Sequence, residues 1–381
     1  MFTRMITVAV TIALISFASA QRAWGRDFLL VASYGNFIHV IDTEAQRVVA
    51  SRKLPGPGTA PTAIVASADG RTAYAIVNAW STLIGINLDT GAVVFRADLA
   101  QDGIRAVEFF GLEISPDGTE LYVAEQRWRV LADRYEVVEP KIAVYSTRGG
   151  LQARAIRFLA APRRTMGIGV SADGNTIYAN SYDISVIDAQ TGAVRKKLPF
   201  LNANLPGLSV PDMYNLWTTQ NDARVFAHPF YVSPTERPEE TDLGVVTVDY
   251  ATGTLSTSVI EAPTSPAAMV VALVNPVRPN EIFGVGNYLY KIDRNTKRIV
   301  QRVLPSQYFY TIGISSDGSK IFTGGGICNI GIYATSDLHS MGLVKLPHCA
   351  DQAMGAFRVI RRDSAAFTGT SLPGRDVATM R

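Results

Sequence analysis

Short runs of valine, isoleucine and tyrosine alternate with polar turn sequences along almost the entire chain. One phrase, an apolar run followed by an Asp-x-x-Thr-Gly type of turn and a second apolar run, recurs seven times. Its copies begin at Ile41, Leu88, Val144, Val186, Val248, Ile292 and Ile332. Aspartate accepts hydrogen bonds from backbone N–H groups in such turns, and glycine takes positive φ without a Cβ clash. The phrase therefore predicts two antiparallel strands joined by a tight turn.

A second phrase lies upstream of the first and reads Ser-x-Asp-Gly between two apolar runs, which again predicts a hairpin. Clear copies begin at Val65, Ile114, Val170 and Ile314, and degenerate copies begin at Trp217 and Val274. Together the two phrases form units of about forty residues with four strands, here named a to d, and this repeat is typical of a β-propeller. We therefore predict an all-β fold.

The number of blades follows from the seven turns between strands c and d. The first unit lacks strand a, whereas segment 353–362 (AMGAFRVIRR) is a strand-like sequence with no unit of its own. Pairing this C-terminal segment into the N-terminal blade would close the ring and leave only short, protected sheet edges. We predict a seven-bladed propeller with four antiparallel strands per blade, and an eight-bladed ring is the alternative.

The connections divide the predicted disc into two faces, with the a–b and c–d turns on one and the b–c and d–a connections on the other. The two longest departures from the repeat are both b–c connections, 125–140 in the third blade and 233–242 in the fifth. Insertions gathered on one face of a repeat protein indicate a binding face.

Aromatic residues on that face are candidates for a subunit interface or the lining of a substrate cavity. They are Trp80, Phe109, Phe110, Trp128, Phe230, Tyr231, Tyr308, Phe309 and Tyr310. Aromatic residues at strand ends also fill gaps between blades, and this alternative stays open for each of them.

Both cysteines lie on the same predicted face, Cys328 in the b–c turn of the seventh blade and Cys349 in the connection that follows the blade. In an exported protein we expect such a pair to form a disulfide, worth about 3 kcal/mol, and two free thiols are the alternative. The four histidines are scattered over different blades, and we expect His39, inside a strand, to be packed and hydrogen-bonded. The sequence contains no Cys-x-x-Cys-His haem motif and no paired-cysteine zinc spacing. We therefore expect no catalytic residue, metal site or cofactor held by this chain.

The chain begins with a short basic segment, an apolar run and the small residues Ala18-Ser19-Ala20, which is typical of a cleavable signal peptide. We predict a signal peptide over 1–20 and a single propeller domain over 21–381, with a retained N-terminal anchor as the alternative. The net charge is +3 and no basic stripe occurs, so nucleic acid is not an expected partner. No later segment has the length of a membrane-spanning helix, so we expect a soluble, exported protein.

Over nearly the whole predicted mature chain, the sequence resembles the β subunit of quinohaemoprotein amine dehydrogenase, a periplasmic seven-bladed propeller. The resemblance is carried by RDFLLVASYGNFIHVIDTE from Arg26, by RTAYAIVNAWSTLIGINLDTG from Arg71, and by ISPDGTELYV with the RYEVVEPKIAVY insertion from Arg134. VFAHPFY with its proline-rich insertion and PSQYFYTIGISSDGSKIFTGGG from Pro305 complete it.

The resemblance implies a heterotrimeric enzyme that oxidises primary amines to aldehyde and ammonia. In that family a large dihaem cytochrome c subunit carries haem c, and a small subunit carries cysteine tryptophylquinone and the catalytic base. This chain would be the non-catalytic β subunit, which docks the quinone-bearing subunit and helps to wall off the substrate cavity. Two alternatives remain open: a freestanding periplasmic binding propeller, and a propeller that acts alone as an enzyme such as a lyase.

Overall fold

The computed structural model describes residues 25–57, 60–165, 167–201, 205–211, 225–260, 268–305, 307–347, 357–362 and 367. Within these ranges the chain forms seven antiparallel sheets, the blades of a seven-bladed β-propeller, which confirms the predicted fold class. The predicted signal peptide and Cys349 lie outside the described residues. No helix in the described ranges is long and apolar enough to cross a membrane.

The strands are numbered in chain order. Those of the first three blades are β1 (Arg26–Ser33), β2 (Phe37–Asp42), β3 (Arg47–Lys53), β4 (Ile64–Ala66), β5 (Thr72–Val77), β6 (Thr82–Asn87), β7 (Val93–Asp98), β8 (Ile104–Val107), β9 (Leu112–Ile114), β10 (Glu120–Val130), β11 (Tyr135–Ser146) and β12 (Arg157–Ala160). Those of the fourth and fifth are β13 (Gly167–Val170), β14 (Thr176–Asn180), β15 (Ile184–Asp188), β16 (Val194–Leu198), β17 (Val225–Val232), β18 (Asp242–Asp249) and β19 (Thr254–Val259). The remaining strands are β20 (Met269–Val274), β21 (Glu281–Gly286), β22 (Leu289–Asp293), β23 (Arg298–Val303), β24 (Phe309–Ile314), β25 (Lys320–Gly325), β26 (Asn329–Ala334), β27 (Ser340–Lys345) and β28 (Phe357–Arg362). A short 3₁₀ helix, Gly150–Gln152, lies between β11 and β12.

The first blade joins the N-terminal and C-terminal parts of the described chain. Its strand order is β28-β1-β2-β3, and β28 pairs antiparallel with β1 from Arg26↔Arg362 to Val31↔Phe357. This pairing confirms that the C-terminal segment supplies the innermost strand of the N-terminal blade. Because it covers the sheet edge that β1 would otherwise leave open, it closes the ring.

The other blades follow the repeat with two variations. The second, fourth, sixth and seventh blades each contain four strands in chain order. The third contains five, because β8 and β9 both pair with β10. The fifth contains three described strands, β17 to β19. Residues 217–224, which the sequence predicts to begin the a–b hairpin of this blade, lie outside the described residues.

The Ser-x-Asp-Gly turns have the geometry that their sequence predicts. In all four, the serine Oγ donates a hydrogen bond of 2.5–2.6 Å to the aspartate two residues later. The glycine that follows, Gly70, Gly118, Gly174 or Gly318, has a left-handed φ of 64° to 73°, where a Cβ would be strained. The repeated motif therefore builds the turn from local hydrogen bonds, independently of what the neighbouring blade contains.

Buried apolar side chains lie mainly between neighbouring blades. Phe28 and Val40 of the first blade pack with Ile84 of the second in one cluster. Leu29, on the opposite side of the first blade, packs with Phe322 of the seventh in another. Alternate residues of one strand thus enter different interfaces, as the two-residue period of a strand requires.

Candidate functional site

The insertion of the third blade is a β-hairpin that extends beyond the blade. Strands β10 and β11 have 11 and 12 residues, whereas β21 and β22, their counterparts in the sixth blade, have 6 and 5. The register shifts between Glu125 and Arg127, and the pairing then continues outward to Val130↔Tyr135. Strand β8 pairs with the extension of β10 on the side away from β11. The sequence indicated an insertion at 125–140, and the structure shows that it prolongs the sheet.

A groove of about 550 Å³ lies against this hairpin. Its lining combines aromatic and aliphatic side chains with three arginines and contains no acidic residue. The lining residues are Arg105, Gln126, Arg127, Trp128, Tyr135, Val137, Val138, Pro140 and Arg163. Aromatic residues and arginine are the types enriched in protein–protein interfaces. Of the aromatic residues predicted from the sequence, Trp128 is the one that lines this groove.

Large apolar side chains are exposed throughout the third blade. Tyr135 and Val137 of the hairpin are 68% and 76% exposed. Leu151 and Ile156, between β11 and β12, are both 57% exposed, and Phe158 on β12 is 44% exposed. Leu151 and Ile156 lie in the c–d connection, on the face opposite the hairpin, so the exposed apolar residues available to a partner at the hairpin are Tyr135 and Val137.

A buried carboxyl group lies at the base of the hairpin. Glu125 is 1% exposed, accepts a 3.1 Å hydrogen bond from the Tyr145 hydroxyl, and lies 3.4 Å from Arg127 Nε. Burial raises the pKa of Glu125 to about 7, although the Arg127 charge and the Tyr145 hydrogen bond oppose the shift. The Arg127 guanidinium also stacks on the Phe158 ring, 4.8 Å from its centroid. The hairpin is thus fixed to the blade by a charged contact and a ring contact.

A second buried carboxyl group, Glu108, organises the connection that leads to β9. Backbone N–H groups of residues 109–111 donate hydrogen bonds to it. Burial raises the pKa of Glu108 to about 8 against these hydrogen bonds, and the charge of Glu125 raises it further. Burial is thus the main reason why the pKa values of both carboxyl groups are raised at the base of the hairpin.

Three of the predicted aromatic residues lie together beside these two carboxyl groups. The rings of Trp80 and Phe109 are 4.6 Å apart between centroids, and those of Phe109 and Phe110 are 4.1 Å apart. Residues 78–80 all have left-handed φ, of 55°, 48° and 70°, which is strained for a tryptophan. The Glu108 N–H donates a 2.8 Å hydrogen bond to the Trp80 carbonyl and holds this turn in place. Backbone strain of this kind is characteristic of binding sites.

Two other predicted residues are fully buried. Phe230 is 0% exposed and packs at 5.5 Å from Phe200, measured between ring centroids. Phe309 is also 0% exposed and lies 6.4 Å from the Tyr333 ring. Both side chains pack inside the propeller and present no surface to a partner in this structure.

The remaining predicted aromatic residues lie in the fifth and seventh blades. The Tyr231 hydroxyl is 2.7 Å from both the N–H and the carbonyl oxygen of Met269, so it links the fifth blade to the sixth. Tyr308 is 52% exposed, and its ring lies 6.3 Å from that of Tyr310. The structure therefore places Trp128 on the hairpin, gathers Trp80, Phe109 and Phe110 beside it, and distributes the other five over the fifth and seventh blades.

The insertion of the fifth blade, 233–242, is a turn-rich loop between β17 and β18. The Ser209 N–H donates a 2.8 Å hydrogen bond to the Ser233 carbonyl, and the Thr235 N–H donates a 2.9 Å hydrogen bond to the Gly207 carbonyl. These bonds hold the loop against the preceding interblade connection. The two insertions thus differ, since strand pairing runs through the third-blade insertion to Val130↔Tyr135, whereas residues 233–241 form a loop beyond the last pair of the fifth blade, Val232↔Asp242.

Cys328 lies in the turn between β25 and β26 and is disulfide-bonded. Cys349, its predicted partner, lies outside the described residues. The pairing of Cys328 with Cys349 stays a prediction.

The histidines that the structure describes have local roles. His39 is fully buried, with its ring nitrogens 2.9 Å from Ser33 Oγ and 2.8 Å from Ser51 Oγ, which confirms that it is packed and hydrogen-bonded. His228 is buried, and burial lowers its pKa to about 4 although its Nδ1 contacts the Pro229 carbonyl. Across the described ranges no three His, Cys, Asp or Glu side chains form a group that could hold a metal ion.

A second cavity, of about 790 Å³, lies at the centre of the ring. It is lined by the innermost strands of the first four blades and by the Ser-x-Asp-Gly turns of the second, third and fourth. It therefore opens on the face opposite the hairpin. Arg358 Nη2 donates a 2.6 Å hydrogen bond to Glu113 Oε1 at this cavity, and both side chains are almost fully buried.

Sequence reasoning missed the buried charged residues at the base of the hairpin and at the central cavity. Glu108 lies within the run AVEFFG and Arg358 within AFRVI, and a charged residue inside an apolar run is a signal for a buried, partnered charge. Glu125 has no such signal, because it stands where the apolar run LYVA gives way to the polar EQR. Its burial results from the continuation of the hairpin above it.

Neither a protein-family model nor a curated protein sequence matches this chain. Among solved structures, hydrazine synthase from Kuenenia stuttgartiensis is 16% identical over 79% of this chain and 90% of that chain, with a TM-score of 0.54. The periplasmic gluconolactonase PpgL from Pseudomonas aeruginosa is 14% identical over 88% and 99%, with a TM-score of 0.56. A functionally unknown protein from Desulfotomaculum acetoxidans is 11% identical over 88% and 99%, with a TM-score of 0.55. At these identities the likeness shows the propeller fold alone.

Proposed function

We propose that this chain is a non-catalytic propeller subunit that docks a partner protein through the hairpin of its third blade. The observation that carries this proposal is the extension of β10 and β11 beyond the blade, with Trp128, Tyr135 and Val137 around an arginine-lined groove. Apolar side chains exposed on such an extension add little to the stability of the propeller itself. Their burial against a partner would be favourable, at about 25 cal/mol per Å² of apolar surface.

The partner that we propose is the small, quinone-bearing subunit of a periplasmic quinohaemoprotein amine dehydrogenase. The sequence resemblance to the β subunit of that enzyme includes the segment from Arg134, which forms most of β11. In such a complex the hairpin and the Trp80–Phe109 pair would provide an apolar wall beside the primary amine substrate. Exclusion of water by such a wall protects a reactive quinone and iminium. Cysteine tryptophylquinone and haem c would belong to the other subunits.

The test is to purify the tagged chain from the periplasm of its own host after growth on a primary amine. Co-purified proteins are then stained for covalent haem and for redox-cycling quinone. A haem-bearing band larger than this chain together with a small quinone-bearing band supports the dehydrogenase subunit. A colourless chain that purifies alone contradicts it.

A matched pair of variants links that result to the hairpin. Val137→Asp places a charge on the hairpin, where Val137 is 76% exposed, and should abolish co-purification of both bands. Val300→Asp makes the same change on β23 of the sixth blade, where Val300 is 54% exposed, and should leave the complex intact. Equal loss of co-purification in both variants, or no loss in either, argues against docking through the hairpin.

The second candidate is a freestanding periplasmic propeller that binds a small ligand. The central cavity favours it, because about 790 Å³ lies within the range of small-molecule binding sites. This candidate predicts that the chain is monomeric in its native extract and that its ligand binds on the face opposite the hairpin.

A further inference from the structure

The outer part of β11 has an open edge. On one side, β11 pairs with β10 as far as Val130↔Tyr135. On the other side, its outermost pair with β12 is Lys141↔Ala160. Within the part of the chain that the structure describes, no strand pairs with that side of residues 135–140. Natural proteins usually cover or interrupt such an edge, because its unpaired backbone groups can pair with another chain.

Two prolines explain why β12 does not cover this edge. Continuation of the β11–β12 ladder would place Ala161 opposite Pro140 and Pro162 opposite Glu139. Proline has no N–H to donate to a ladder, so the pairing ends before them. The chain instead turns at Pro162, whose carbonyl accepts a 2.8 Å hydrogen bond from the Thr165 hydroxyl. The sequence therefore leaves residues 135–139 without a neighbouring strand on this side.

The hairpin turn shows which backbone groups point out of the open edge. The Leu131 N–H donates a 2.9 Å hydrogen bond to the Arg134 carbonyl, so these residues form the hydrogen-bonded pair nearest the turn. Hydrogen-bonded and non-hydrogen-bonded pairs alternate along an antiparallel ladder. Counted from that pair, Tyr135 and Val137 occupy non-hydrogen-bonded positions against β10. Their N–H and C=O groups are therefore directed away from β10, towards the open edge.

The side chains beside these backbone groups are apolar. Trp128 lies opposite Val137, and Val130 lies opposite Tyr135, two residues further along the strands. Residues paired across strands, and residues two apart along a strand, share one face, so these four side chains do so. Val130, Tyr135 and Val137 are 47%, 68% and 76% exposed. An added strand would shield this face with its alternate side chains.

The acidic residues of the edge already have basic partners. Glu136 pairs with Arg129 across the hairpin at 2.5 Å, and Glu139 pairs with Arg163 at 2.9 Å. The edge therefore selects its partner segment by backbone hydrogen bonds and apolar contact, and not by an unbalanced charge. A helix cannot meet the outward backbone groups, because its own N–H and C=O groups are bonded within it, whereas an extended segment can.

We propose that the edge of β11 over residues 135–139 receives an extended segment of the partner protein as an additional β-strand. That segment would carry apolar side chains at alternate positions, over the face of Trp128 and Val137. Main-chain hydrogen bonds provide affinity in this mode of recognition, and the alternate side chains provide specificity. The inference rests on the proposed docking function and specifies the structure of the partner at the contact.

The test compares two substitutions at one position in the complex isolated from the host periplasm. Val137→Pro removes an outward N–H, and proline is tolerated in an edge strand where that N–H would face solvent. Val137→Thr keeps the N–H and nearly the same shape. Affinity for the isolated partner is measured by biolayer interferometry. We expect Val137→Pro to weaken binding by about tenfold or more and Val137→Thr by about threefold or less.

A second position guards against a folding defect in one variant. Tyr135→Pro and Tyr135→Phe make the same comparison at the other outward residue, and thermal denaturation followed by circular dichroism shows whether each variant is folded. Hydrogen exchange of the complex gives a structural readout. The N–H groups of Tyr135 and Val137 should exchange about tenfold more slowly in the complex than in the free chain. Those of Glu136 and Val138, which face β10, should change little.

The outcomes separate strand addition from the dehydrogenase assignment. A partner with neither haem nor quinone that is lost in Val137→Pro and retained in Val137→Thr would support strand addition and contradict the dehydrogenase subunit. Equal weakening by Val137→Pro and Val137→Thr, with unchanged exchange at Tyr135, would overturn strand addition while docking through hairpin side chains stands. A dimer of the purified chain that Val137→Pro converts to monomers would assign the edge to a second copy and overturn the proposal. Absence of any partner from the unmodified chain overturns both proposals.

Discussion

The third and sixth blades are built from the same repeat but use their b–c connections differently. In the sixth blade two residues, Asn287 and Tyr288, join β21 to β22. In the third blade β10 and β11 continue past the blade and carry Tyr135 and Val137 into solvent. A short connection leaves no surface beyond the blade, whereas the extended one carries a groove of about 550 Å³.

The difference separates the residues that fold the propeller from those that could recognise another molecule. Phe283 and Tyr290, on the b and c strands of the sixth blade, are both 0% exposed and pack against neighbouring blades. Tyr135 and Val137 of the third-blade extension are instead mostly exposed. Substitutions in the two blades should therefore affect different measurable properties.

The largest expected effect is on the core of the sixth blade. Phe283→Ala should reduce the free energy of unfolding by about 3–5 kcal/mol, because it removes a fully buried ring and leaves a cavity. Val137→Ala, on the hairpin, should change it by less than about 0.5 kcal/mol. Urea denaturation followed by circular dichroism measures both. A hairpin variant that lost as much stability as the core variant would show that the extension belongs to the folding core.

The stability of the third blade and that of the sixth blade should also change with pH in opposite directions. In the third blade, burial raises the pKa of Glu108 to about 8 from an ordinary value of 4.5, so the folded state binds a proton that the unfolded state releases. Its contribution to stability is complete below about pH 4.5 and is lost as pH rises to about 8. The loss between pH 5 and pH 8 should be roughly 3 kcal/mol.

In the sixth blade, the pKa of Glu281 is shifted in the opposite direction. Burial alone would raise the pKa of Glu281, but hydrogen bonds from Arg278 and Lys291 lower it overall. Its contribution is therefore present above the ordinary glutamate pKa and is lost as pH falls through the lowered value. Hydrogen exchange should show the third blade opening more readily at pH 8 than at pH 5. Glu108→Gln, which cannot ionise, should reduce that dependence and leave the part that the raised pKa of Glu125 contributes. An unchanged dependence in this variant would show that Glu108 is not its source.

The fold was predictable from the sequence because its signals are local and repeated. Each Ser-x-Asp-Gly turn closes through the serine–aspartate hydrogen bond and the left-handed glycine, so the motif gives strand, turn and strand wherever it occurs. Ring closure was predictable by counting, since the first unit lacked a strand and segment 353–362 had no unit. The structure confirms that pairing between β28 and β1.

The candidate site was only partly predictable because its features depend on contacts between distant segments. Trp128 and the Trp80–Phe109–Phe110 cluster were identified by their position on the insertion face. Phe230 occupies an equivalent place in the sequence, yet it is buried against Phe200. Sequence position alone does not show which way a strand-end ring turns, because the neighbouring blade decides it.

A smaller loss of stability is expected from a substitution in a turn of the sixth blade. Asn275 replaces the serine of the motif in the sixth blade, and its Oδ1 accepts 3.0 Å hydrogen bonds from the N–H groups of Val277 and Arg278. Its Nδ2 donates a 3.0 Å hydrogen bond to the Gly318 carbonyl of the seventh blade. Asn275→Ala should therefore cost about 1 kcal/mol, because it removes the hydrogen bonds that close the turn, whereas the Gly318 carbonyl keeps its hydrogen bonds from Arg278 and Thr335.

The matched change at the tip of the third-blade hairpin is Asp133→Ala. Asp133 is 70% exposed and forms an ion pair of 3.0 Å with the adjacent Arg134. An exposed pair of this kind contributes little, so the free energy of unfolding should change by less than about 0.5 kcal/mol. Urea denaturation of the two alanine variants in parallel makes the comparison. If Asp133→Ala cost as much as Asn275→Ala, the hairpin tip would be a structural turn like those of the repeat, and the extension could no longer be treated as surface reserved for a partner.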